Sequence, residues 1–395
     1  MLSHMKLKLL DMRIFKVVFF TFLFLASTAK AQLFQPPLSP LDSVVKKYDY
    51  FIEQKLVELQ APGAAIAIVH GDSVIYSKCY GVRALGCFEP ITPHTTFRIA
   101  SLSKGFASVL AGLLVQGGVL NWDDKVIKYL PDFALKKDTH TQSLTLRHIL
   151  SHTSGLPSHS YDNLVEANVP FPTIVDQLKT VPCVWPVGQS YNYQNVIYSL
   201  IGDVMKSATG LAYPQLLQTR LLTPLKMTDA SLTREALLAN VNHASPHIWR
   251  RGKWTLTEVT EGYYAVAPAA GVNASILDMA KWMQALLGGR PDIVSSKVIQ
   301  NVTAPVIKTR RELRRYHWNG RARHAYYGLG WRIFDYAGTK LVFHSGGLRG
   351  YVSQIAFLPE HDLGIVVLLN SNIENIFVST FLDICFSPDK YLSNL

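Results

Sequence analysis

The sequence predicts an α+β fold in which an antiparallel β-sheet, flanked by helices, carries a mainly helical inserted lobe. Short apolar strand patterns separated by turns occur near both ends of the chain, whereas the residues between them form helical patterns with long loops. Strands from the two ends must therefore meet in one sheet. We expect a single domain over residues 32–395, with the sheet lobe at about 41–100 and 325–395 and the helical lobe at about 101–324.

The first 31 residues have the pattern of a cleaved secretion signal. A basic start is followed by an apolar run at residues 17–26 and by an Ala-Lys-Ala site at residues 29–31. A membrane anchor needs about 20 apolar residues, and this run is only about half as long. We therefore expect a signal peptide at residues 1–31, export to the periplasm or out of the cell, and no stable membrane anchor after cleavage.

The composition is that of a globular protein, because 48% of the 395 residues are hydrophobic and 17% are charged. The net charge is +11, and removal of a leader with five basic residues and one acidic residue leaves +7. This balance favours anionic substrates or anionic polymers of the cell envelope. Nucleic acid is not expected as a partner, since no long block of like charge occurs. The densest basic patch, residues 310–315, is interpreted as a solvated loop or helix face.

The predicted elements begin with a helical pattern at residues 43–59. Two strand patterns follow, joined by a hairpin turn at residues 70–73. The C-terminal part contains four more strand patterns and a last apolar helix at residues 373–386. The predicted strands are residues 64–69, 74–80, 327–334, 340–343, 352–358 and 364–369.

The four cysteines, Cys79, Cys87, Cys183 and Cys385, follow no metal-binding spacing. Export permits a disulfide, for which Cys79 and Cys87 across a hairpin are the nearest pair. Four unpaired, buried thiols are an equal alternative. Neither choice affects the chemistry that the other motifs predict.

A serine and a lysine three residues apart provide the first chemical signal. Ser101 and Lys104 share one helix face, with about 5–6 Å between their Cβ atoms, so an unprotonated lysine can accept the serine proton during attack on an acyl carbon. Burial or neighbouring cations must lower the pKa of that lysine. The spacing recurs at Ser3, Ser43 and Ser387, but only Ser101 stands where an extended segment meets a buried helix. A helix N-terminus there favours an oxyanion.

A tyrosine and an asparagine, Tyr193 and Asn195, directly precede an apolar helix pattern at residues 196–205. Tyr193 is expected to shuttle a proton between the serine, the lysine and the leaving group, with a pKa lowered by the charge of the lysine. Asn195 is expected to bind a substrate amide carbonyl and to orient the lysine. A second Tyr-x-Asn pattern, at residues 161–163, lies in a polar loop and is interpreted as surface.

A glycine-rich strand end, His344-Ser345-Gly346-Gly347, supplies the third element. Glycines let a substrate backbone approach the edge of a strand closely. We expect His344 and Ser345 to donate hydrogen bonds to a carboxylate. The N–H group of Gly347 is expected to pair with that of Ser101 as an oxyanion hole.

Two other patterns are set aside. His148 and His152 have the i, i+4 spacing of a zinc site, but Ile149 occupies the position where a metalloprotease needs its glutamate. The sequence also lacks a phosphate-binding glycine loop and a dinucleotide fingerprint. We therefore expect neither a metal nor another cofactor.

In this order and spacing, the motifs resemble those of the serine β-lactamase and penicillin-binding superfamily. The similar branch contains class C β-lactamases, D-alanyl-D-alanine carboxypeptidases, D-aminopeptidases and related esterases. Residues 97–101, 146–157 and 268–271 support the resemblance, which extends from about residue 41 to residue 371.

The resemblance implies a role for each motif. Ser101 resembles the nucleophile, Lys104 its base, Tyr193 the second base, Asn195 the amide-binding residue and residues 344–346 the carboxylate-binding strand. Class C β-lactamases typically have Lys-Thr-Gly on that strand, whereas a histidine is similar to the peptidase-like members. A neutral imidazole attracts a carboxylate less strongly than an ammonium group does.

The sequence thus predicts an exported serine hydrolase that forms an acyl-enzyme on Ser101. A peptidase or esterase acting on D-amino-acid peptides or small esters is favoured, and a class C-type β-lactamase is the alternative. A second alternative is a penicillin-binding sensor or scaffold without turnover. The expected partners are small-molecule or peptide substrates, among them peptidoglycan fragments and β-lactams. Loops at residues 158–172 and 305–325 are expected to shape the pocket.

Overall fold

The computed structural model describes residues 38–387 apart from residues 317, 319, 374 and 375. The predicted signal peptide lies outside the described residues. The helices are α1 (Leu41–Glu58), α2 (Ser103–Gln116), α3 (Asp138–Ser143), α4 (Leu146–Leu150), α5 (Asp162–Glu166), α6 (Phe171–Gln177), α7 (Val196–Thr209), α8 (Tyr213–Leu217), α9 (Arg234–Ala239), α10 (Ala267–Ala270), α11 (Ile276–Leu286), α12 (Ser296–Val302), α13 (Glu312–Arg315) and α14 (Ile376–Phe386).

The strands follow the predicted distribution between the two ends of the chain. They are β1 (Gly63–His70), β2 (Ser73–Gly81), β3 (Phe97–Arg98), β4 (His247–Arg250), β5 (Lys253–Leu256), β6 (Asn273–Ala274), β7 (Ile307–Lys308), β8 (Ala322–Tyr327), β9 (Arg332–Tyr336), β10 (Thr339–Leu348), β11 (Tyr351–Leu358) and β12 (Leu363–Leu369).

One antiparallel eight-stranded sheet forms the centre of the molecule, in the order β2-β1-β12-β11-β10-β9-β8-β7. The N-terminal β1 pairs with the C-terminal β12, with Ala64 opposite Leu369 and His70 opposite Leu363. The predicted meeting of strands from both ends is therefore confirmed, as is the α+β class.

The side chains of β1 alternate between two cores. Ala65 and Val69 belong to the core that faces the helical lobe, whereas Ala64 and Ile68 belong to the core beneath α1 and α14. Because both faces of the strand are covered, β1 is a continuous apolar run rather than an alternating one. The sheet thus holds terminal helices on one side and the helical lobe, with α2 and α7, on the other.

The expected single strand over residues 327–334 is wrong, because a four-residue turn separates β8 from β9. Gly330 has φ +80°, a conformation that favours glycine. Its N–H group donates to the carbonyl of Leu150 (3.0 Å), and that of Leu329 donates to the carbonyl of Val302 (2.9 Å). The turn is therefore tied to the helical lobe instead of to the sheet.

Two further features bear on the earlier expectations. The four cysteines are free, as one alternative predicted, but the expectation that all are buried is wrong, because Cys79 is partly buried and Cys87 is exposed. Among the described helices, none combines the length and the apolar character that a bilayer crossing requires.

Candidate active site

Ser101 lies at the start of α2, as expected from the sequence. Residues Ala100–Leu102 form a 3₁₀ turn that leads into the helix, and Ala100 has φ +49°, a strained conformation for a residue with a side chain. The hydroxyl of Ser103 donates to the carbonyl of Ala100 (2.6 Å) and accepts from the N–H group of Val272 (3.0 Å). These bonds hold the strained turn that presents Ser101.

Strand β10 packs directly behind this turn because residue 346 is glycine. A Cβ atom there would lie 2.4 Å from Oγ of Ser353 and 2.5 Å from the carbonyl oxygen of Ile99. The Ser353 hydroxyl donates to that same carbonyl across 2.7 Å. Gly346 therefore serves close packing of the strand against the nucleophile turn, and Gly347, the next residue, lines the cavity in front of it.

Lys104 is fully buried next to the serine. Its Nζ atom lies 3.2 Å from Oγ of Ser101, 2.7 Å from Oδ1 of Asn195 and 3.0 Å from the carbonyl oxygen of Ala269. Burial lowers the pKa of Lys104 well below its usual range; Asp162 opposes this effect and Arg332 adds to it.

The neighbours of Lys104 fix the direction of its lone pair. A neutral amine has two N–H donors and one lone pair. The two carbonyl oxygens, of Asn195 and Ala269, can only accept, so they take the two donors. In the neutral amine, the lone pair is then left for the hydroxyl of Ser101.

The phenol of Tyr193 completes the cluster, since it donates to Oγ of Ser101 across 3.0 Å. The Tyr193 ring lies 4.6 Å from Nζ of Lys104 and 5.3 Å from the guanidinium of Arg332. Burial raises the pKa of Tyr193, although the positive charge of Arg332 acts in the opposite direction. The expected lowering of this pKa by the lysine is wrong, because removal of the phenol from water outweighs the charges nearby.

His152 holds the segment that carries Tyr193. Its Nδ1 atom accepts from the N–H group of Gln194 (3.1 Å), and its carbonyl accepts from that of Asn192 (2.9 Å). The imidazole lies 4.3 Å from the Tyr193 ring. The pair His148 and His152 is thus structural, and no group of side chains suited to a metal ion occurs in the described part of the chain.

His344 lies behind the site rather than in it. Nδ1 of this fully buried imidazole donates to the carbonyl of Ser345 (2.8 Å), and Nε2 accepts from Arg332 (3.1 Å) and from the Tyr327 hydroxyl (3.2 Å). Burial lowers the pKa of His344 well below its usual value, with Arg332 and Lys104 as further causes. The expectation that His344 donates to a carboxylate is therefore wrong, because both ring nitrogens are occupied.

Arg332 provides the positive charge that the sequence analysis missed. It is buried at the start of β9, donates from Nε to Glu312 (2.8 Å), and lines the cavity in front of Ser101. Arg315 lines the same cavity, so residues 310–315 are only partly a solvated surface. The available signal was a charged residue within an apolar strand pattern, because such a residue is seldom buried without a partner.

Asp162 is a second residue that the sequence analysis placed wrongly. It begins α5 and lines the cavity instead of belonging only to a surface loop. Oδ2 of Asp162 accepts from Nδ2 of Asn195 (2.8 Å) and lies 2.7 Å from Nδ1 of His159. This contact orients the Asn195 amide so that its oxygen faces Lys104.

The cavity has a volume of about 430 Å³ and brings most of the predicted site residues together. Both predicted loops contribute to it, through His159 and Glu166 on one side and Arg315 on the other. The predicted residues on its wall are Ser101, Tyr193, Asn195, Ser345 and Gly347, while Lys104 touches the serine from below.

This fold and this Ser–Lys–Tyr cluster are those of the serine β-lactamase and penicillin-binding superfamily. The chain belongs to the beta-lactamase family, whose model matches residues 49–378. It is 29% identical over 345 residues to Protein flp of Staphylococcus aureus (strain NCTC 8325 / PS 47), a match that covers 84% of this chain and 64% of that protein.

Two more comparisons cover larger shares of the matched proteins. A protein named Beta-lactamase from Escherichia coli (strain K12) is 26% identical over 382 residues, or 88% of this chain and 93% of that protein. The octameric penicillin-binding protein homologue from Pyrococcus abyssi superimposes with a TM-score of 0.76 at 27% identity, over 86% of this chain and 77% of that one.

Proposed function

We propose that this protein is an exported serine hydrolase that works through an acyl-enzyme on Ser101. The observation that carries the proposal is the arrangement around Lys104. Nζ contacts the oxygens of Asn195 and Ala269 and Oγ of Ser101, so in the neutral amine the two N–H donors go to the carbonyl oxygens and the lone pair is available to the Ser101 hydroxyl.

Acylation starts when Oγ of Ser101 attacks the substrate carbonyl and its proton passes to Nζ of Lys104. The carbonyl oxygen becomes an oxyanion, for which the N–H groups of Ser101 and Gly347 are the proposed donors. Collapse breaks the bond to the leaving group. The neutral phenol of Tyr193 gives this group its proton and recovers one from the Lys104 ammonium.

Deacylation repeats these steps with water as the nucleophile. The neutral amine of Lys104 takes the proton of the attacking water, with the Tyr193 phenol relaying it, and Oγ of Ser101 leaves with that proton returned to it. The free acid is released and the serine is regenerated. No metal or organic cofactor has a step in this sequence.

The substrate that the cavity suits best has a carboxylate near the scissile bond. Arg315, Arg332 and Ser345 all line the cavity, and guanidinium groups bind carboxylates well. This favours a peptidase or esterase for D-amino-acid peptides or small esters, including peptidoglycan fragments. We also propose that the protein is exported and that its substrates come from the cell envelope.

β-Lactam hydrolysis is the second candidate. The relative named Beta-lactamase matches over 93% of its own length, whereas Protein flp matches over only 64%. A β-lactam also has a carboxylate that the arginine-lined wall can bind. A penicillin-binding protein without turnover would form the same acyl-enzyme and keep it.

A substrate panel with matched serine variants tests the proposal. A chromogenic cephalosporin, a short-chain nitrophenyl ester and a D-alanine dipeptide are assayed with the wild type, Ser101→Ala and Ser43→Ala. Ser43 and Lys46 share the Ser-x-x-Lys spacing on α1 and form the control. We expect Ser101→Ala to abolish turnover and Ser43→Ala to preserve it; full activity of Ser101→Ala would exclude the mechanism.

Intact mass after exposure to penicillin separates the three functions. A hydrolase shows no adduct or a transient one on Ser101, whereas a sensor shows a persistent adduct. Neither an adduct nor turnover of any substrate by a folded protein would indicate a scaffold and would contradict the proposal.

A further inference from the structure

A two-stranded ribbon stands apart from the central sheet. β4 and β5 form a sheet of their own, and they turn through Arg251 and Gly252 at φ +49° and +78°. Two successive residues at positive φ are typical of a tight type I′ hairpin. At its base, the N–H group of His247 donates to the carbonyl of Asn370 (3.0 Å), which fixes the ribbon to the end of β12.

The ribbon has one face with exposed apolar side chains. His247 pairs with Leu256 and Trp249 pairs with Trp254, so these four side chains share a face. His247 is buried at the base, whereas Trp249 is 47% exposed and Leu256 49% exposed. A tryptophan in such a position is unusual for a surface that contacts only water.

The most exposed large apolar side chains in the described part of the chain belong to segments that approach this ribbon. They are Phe88 (99%), Val241 (85%) and Val57 (77%). None of the three is needed for the core or the site. Together with Leu85, Trp249 and Leu256 they form what we call the ribbon surface.

Hydrogen bonds bring the segments that carry these side chains close to the ribbon. The N–H group of Ser245, just before β4, donates to the carbonyl of Arg83 (2.8 Å). Arg83 donates to the carbonyl of Val241. The N–H group of Leu85 donates to Nε2 of His247 (3.0 Å), which brings the loop with Phe88 to the base of β4. Trp254 donates from Nε1 to the carbonyl of Leu59 (3.0 Å), two residues from Val57.

The tip of the ribbon is positively charged. Arg250, Arg251 and Lys253 are exposed there. Of the acidic residues nearby, Glu58 lies 2.6 Å from Lys55 and Glu89 lies 3.9 Å from Arg83. Glu258, after β5, is exposed as well, so the three cations of the ribbon tip outnumber the acidic residue that follows the ribbon.

We propose that the ribbon surface binds the surface of an anionic lipid bilayer. Tryptophan and exposed aliphatic groups insert at the level of the lipid headgroups, and each nearby arginine or lysine adds attraction to anionic lipids. A second copy of the chain fits less well, because a two-fold contact would bring the cationic tips together. A soluble anionic polymer would leave Phe88 and Val241 without a partner.

Co-sedimentation with lipid vesicles tests this inference independently of the catalytic proposal. The full chain is mixed with phosphatidylcholine vesicles that do or do not contain phosphatidylglycerol. Every variant carries the same residues 1–37, so binding through that segment is common to all. We expect anionic vesicles to bind the wild type more tightly than neutral ones.

Charge and apolar variants then locate the binding surface. Arg250→Gln combined with Arg251→Asn should weaken binding to anionic vesicles by about tenfold or more, and asparagine tolerates the positive φ of residue 251. Trp249→Ser should weaken binding to both kinds of vesicle. The matched controls are Arg310→Gln with Arg311→Gln, and Trp185→Ser at an exposed tryptophan in the helical lobe.

Two outcomes would overturn the inference. One is that the ribbon variants and the control variants change vesicle binding to the same extent. The other is self-association of the wild type in analytical ultracentrifugation that Trp249→Ser removes, without vesicle binding. Quenching of Trp249 fluorescence by brominated lipid, absent in Trp249→Phe, would support the inference directly.

Discussion

Nζ of Lys104 lies 2.7 Å from Oδ1 of Asn195, and this contact decides what the lysine can do. An amide presents either an oxygen or an N–H group to its neighbour. Asp162 accepts from Nδ2 of Asn195 across 2.8 Å, so the oxygen is the group that faces the lysine. The amide therefore uses an N–H donor of Lys104 and leaves its lone pair for Ser101.

This relationship predicts a pH effect at Asp162. The negative charge of Asp162 raises the pKa of Lys104 against the larger lowering by burial. Asp162→Asn removes the charge but retains an oxygen that can accept from Asn195. Because Lys104 must be neutral to act, we expect the acid limb of the kcat/KM profile to move to lower pH. Asp176→Asn, at an exposed carboxylate, is the control, and an unmoved limb in Asp162→Asn contradicts the prediction.

The opposite shift is expected at Arg332, whose positive charge lowers the pKa of Lys104. Removing only the arginine would leave Glu312 as a lone buried charge, which costs about 3–5 kcal/mol. The test therefore uses Glu312→Gln together with Arg332→Gln. We expect the acid limb of kcat/KM to move to higher pH, and Arg332→Lys to leave it nearly in place. A shift of both variants to lower pH would contradict this assignment.

If Arg332 binds a substrate carboxylate as proposed, loss of its charge should also change substrate preference. In the Glu312→Gln, Arg332→Gln variant, kcat/KM should fall by about tenfold or more for a substrate with a carboxylate. A neutral nitrophenyl ester should lose less, because it makes no contact with a guanidinium. The ratio of the two values is measured at the plateau of each pH profile. An equal loss for both substrates would mean that Arg332 does not select the carboxylate.

The buried lysine also predicts how stability depends on pH. Burial lowers the pKa of Lys104 in the folded protein, whereas the unfolded chain keeps the ordinary value of about 10.4. Between these two pKa values the unfolded state binds one more proton, so stability rises with pH. Relative to Lys104→Met, the wild type should gain about 1.4 kcal/mol of unfolding free energy per pH unit.

Urea unfolding at pH 7, 8 and 9 measures this slope. Lys46→Met, on the exposed side of α1, provides the control and should show no comparable slope relative to the wild type. Lys104→Met should also lower kcat by about 10²–10⁴-fold, because its base is lost. A pH-independent stability difference between the wild type and Lys104→Met would mean that Lys104 is charged in the folded protein.

Much of the fold followed from local pattern. Apolar runs bounded by turns located β1, β2, β10, β11 and β12, and the meeting of strands from both ends of the chain followed, although the pairing of β1 with β12 was not predicted. The ribbon of β4 and β5 did not follow, because its apolar side chains are exposed and its strands are short. The turn between β8 and β9 was missed since its backbone partners, Leu150 and Val302, are remote in sequence.

The residues of the candidate site likewise divide into those that the sequence predicts and those that it does not. Ser101, Lys104, Tyr193 and Asn195 have local signatures, a fixed spacing followed by a buried helix, and the structure brings them together. The electrostatic environment has no such signature, because it depends on charges from distant segments. The Tyr193 pKa was therefore predicted in the wrong direction, and the binding role given to His344 belongs to a buried imidazole behind the site.

A last prediction concerns Gly105, the residue after Lys104. A Cβ atom at Gly105 would lie 2.4 Å from the ring of Trp331, and this ring is fully buried and has no room to move. Gly105→Ala should therefore destabilise the protein by about 1–3 kcal/mol despite the better helix propensity of alanine. Gly117→Ala, at the end of the same helix, meets its nearest atom at 3.4 Å and is the control. Thermal unfolding measures the stability of both variants, and equal melting temperatures would contradict the packing argument. Because the clash displaces the turn of α2 that carries Lys104, Gly105→Ala should also lower kcat.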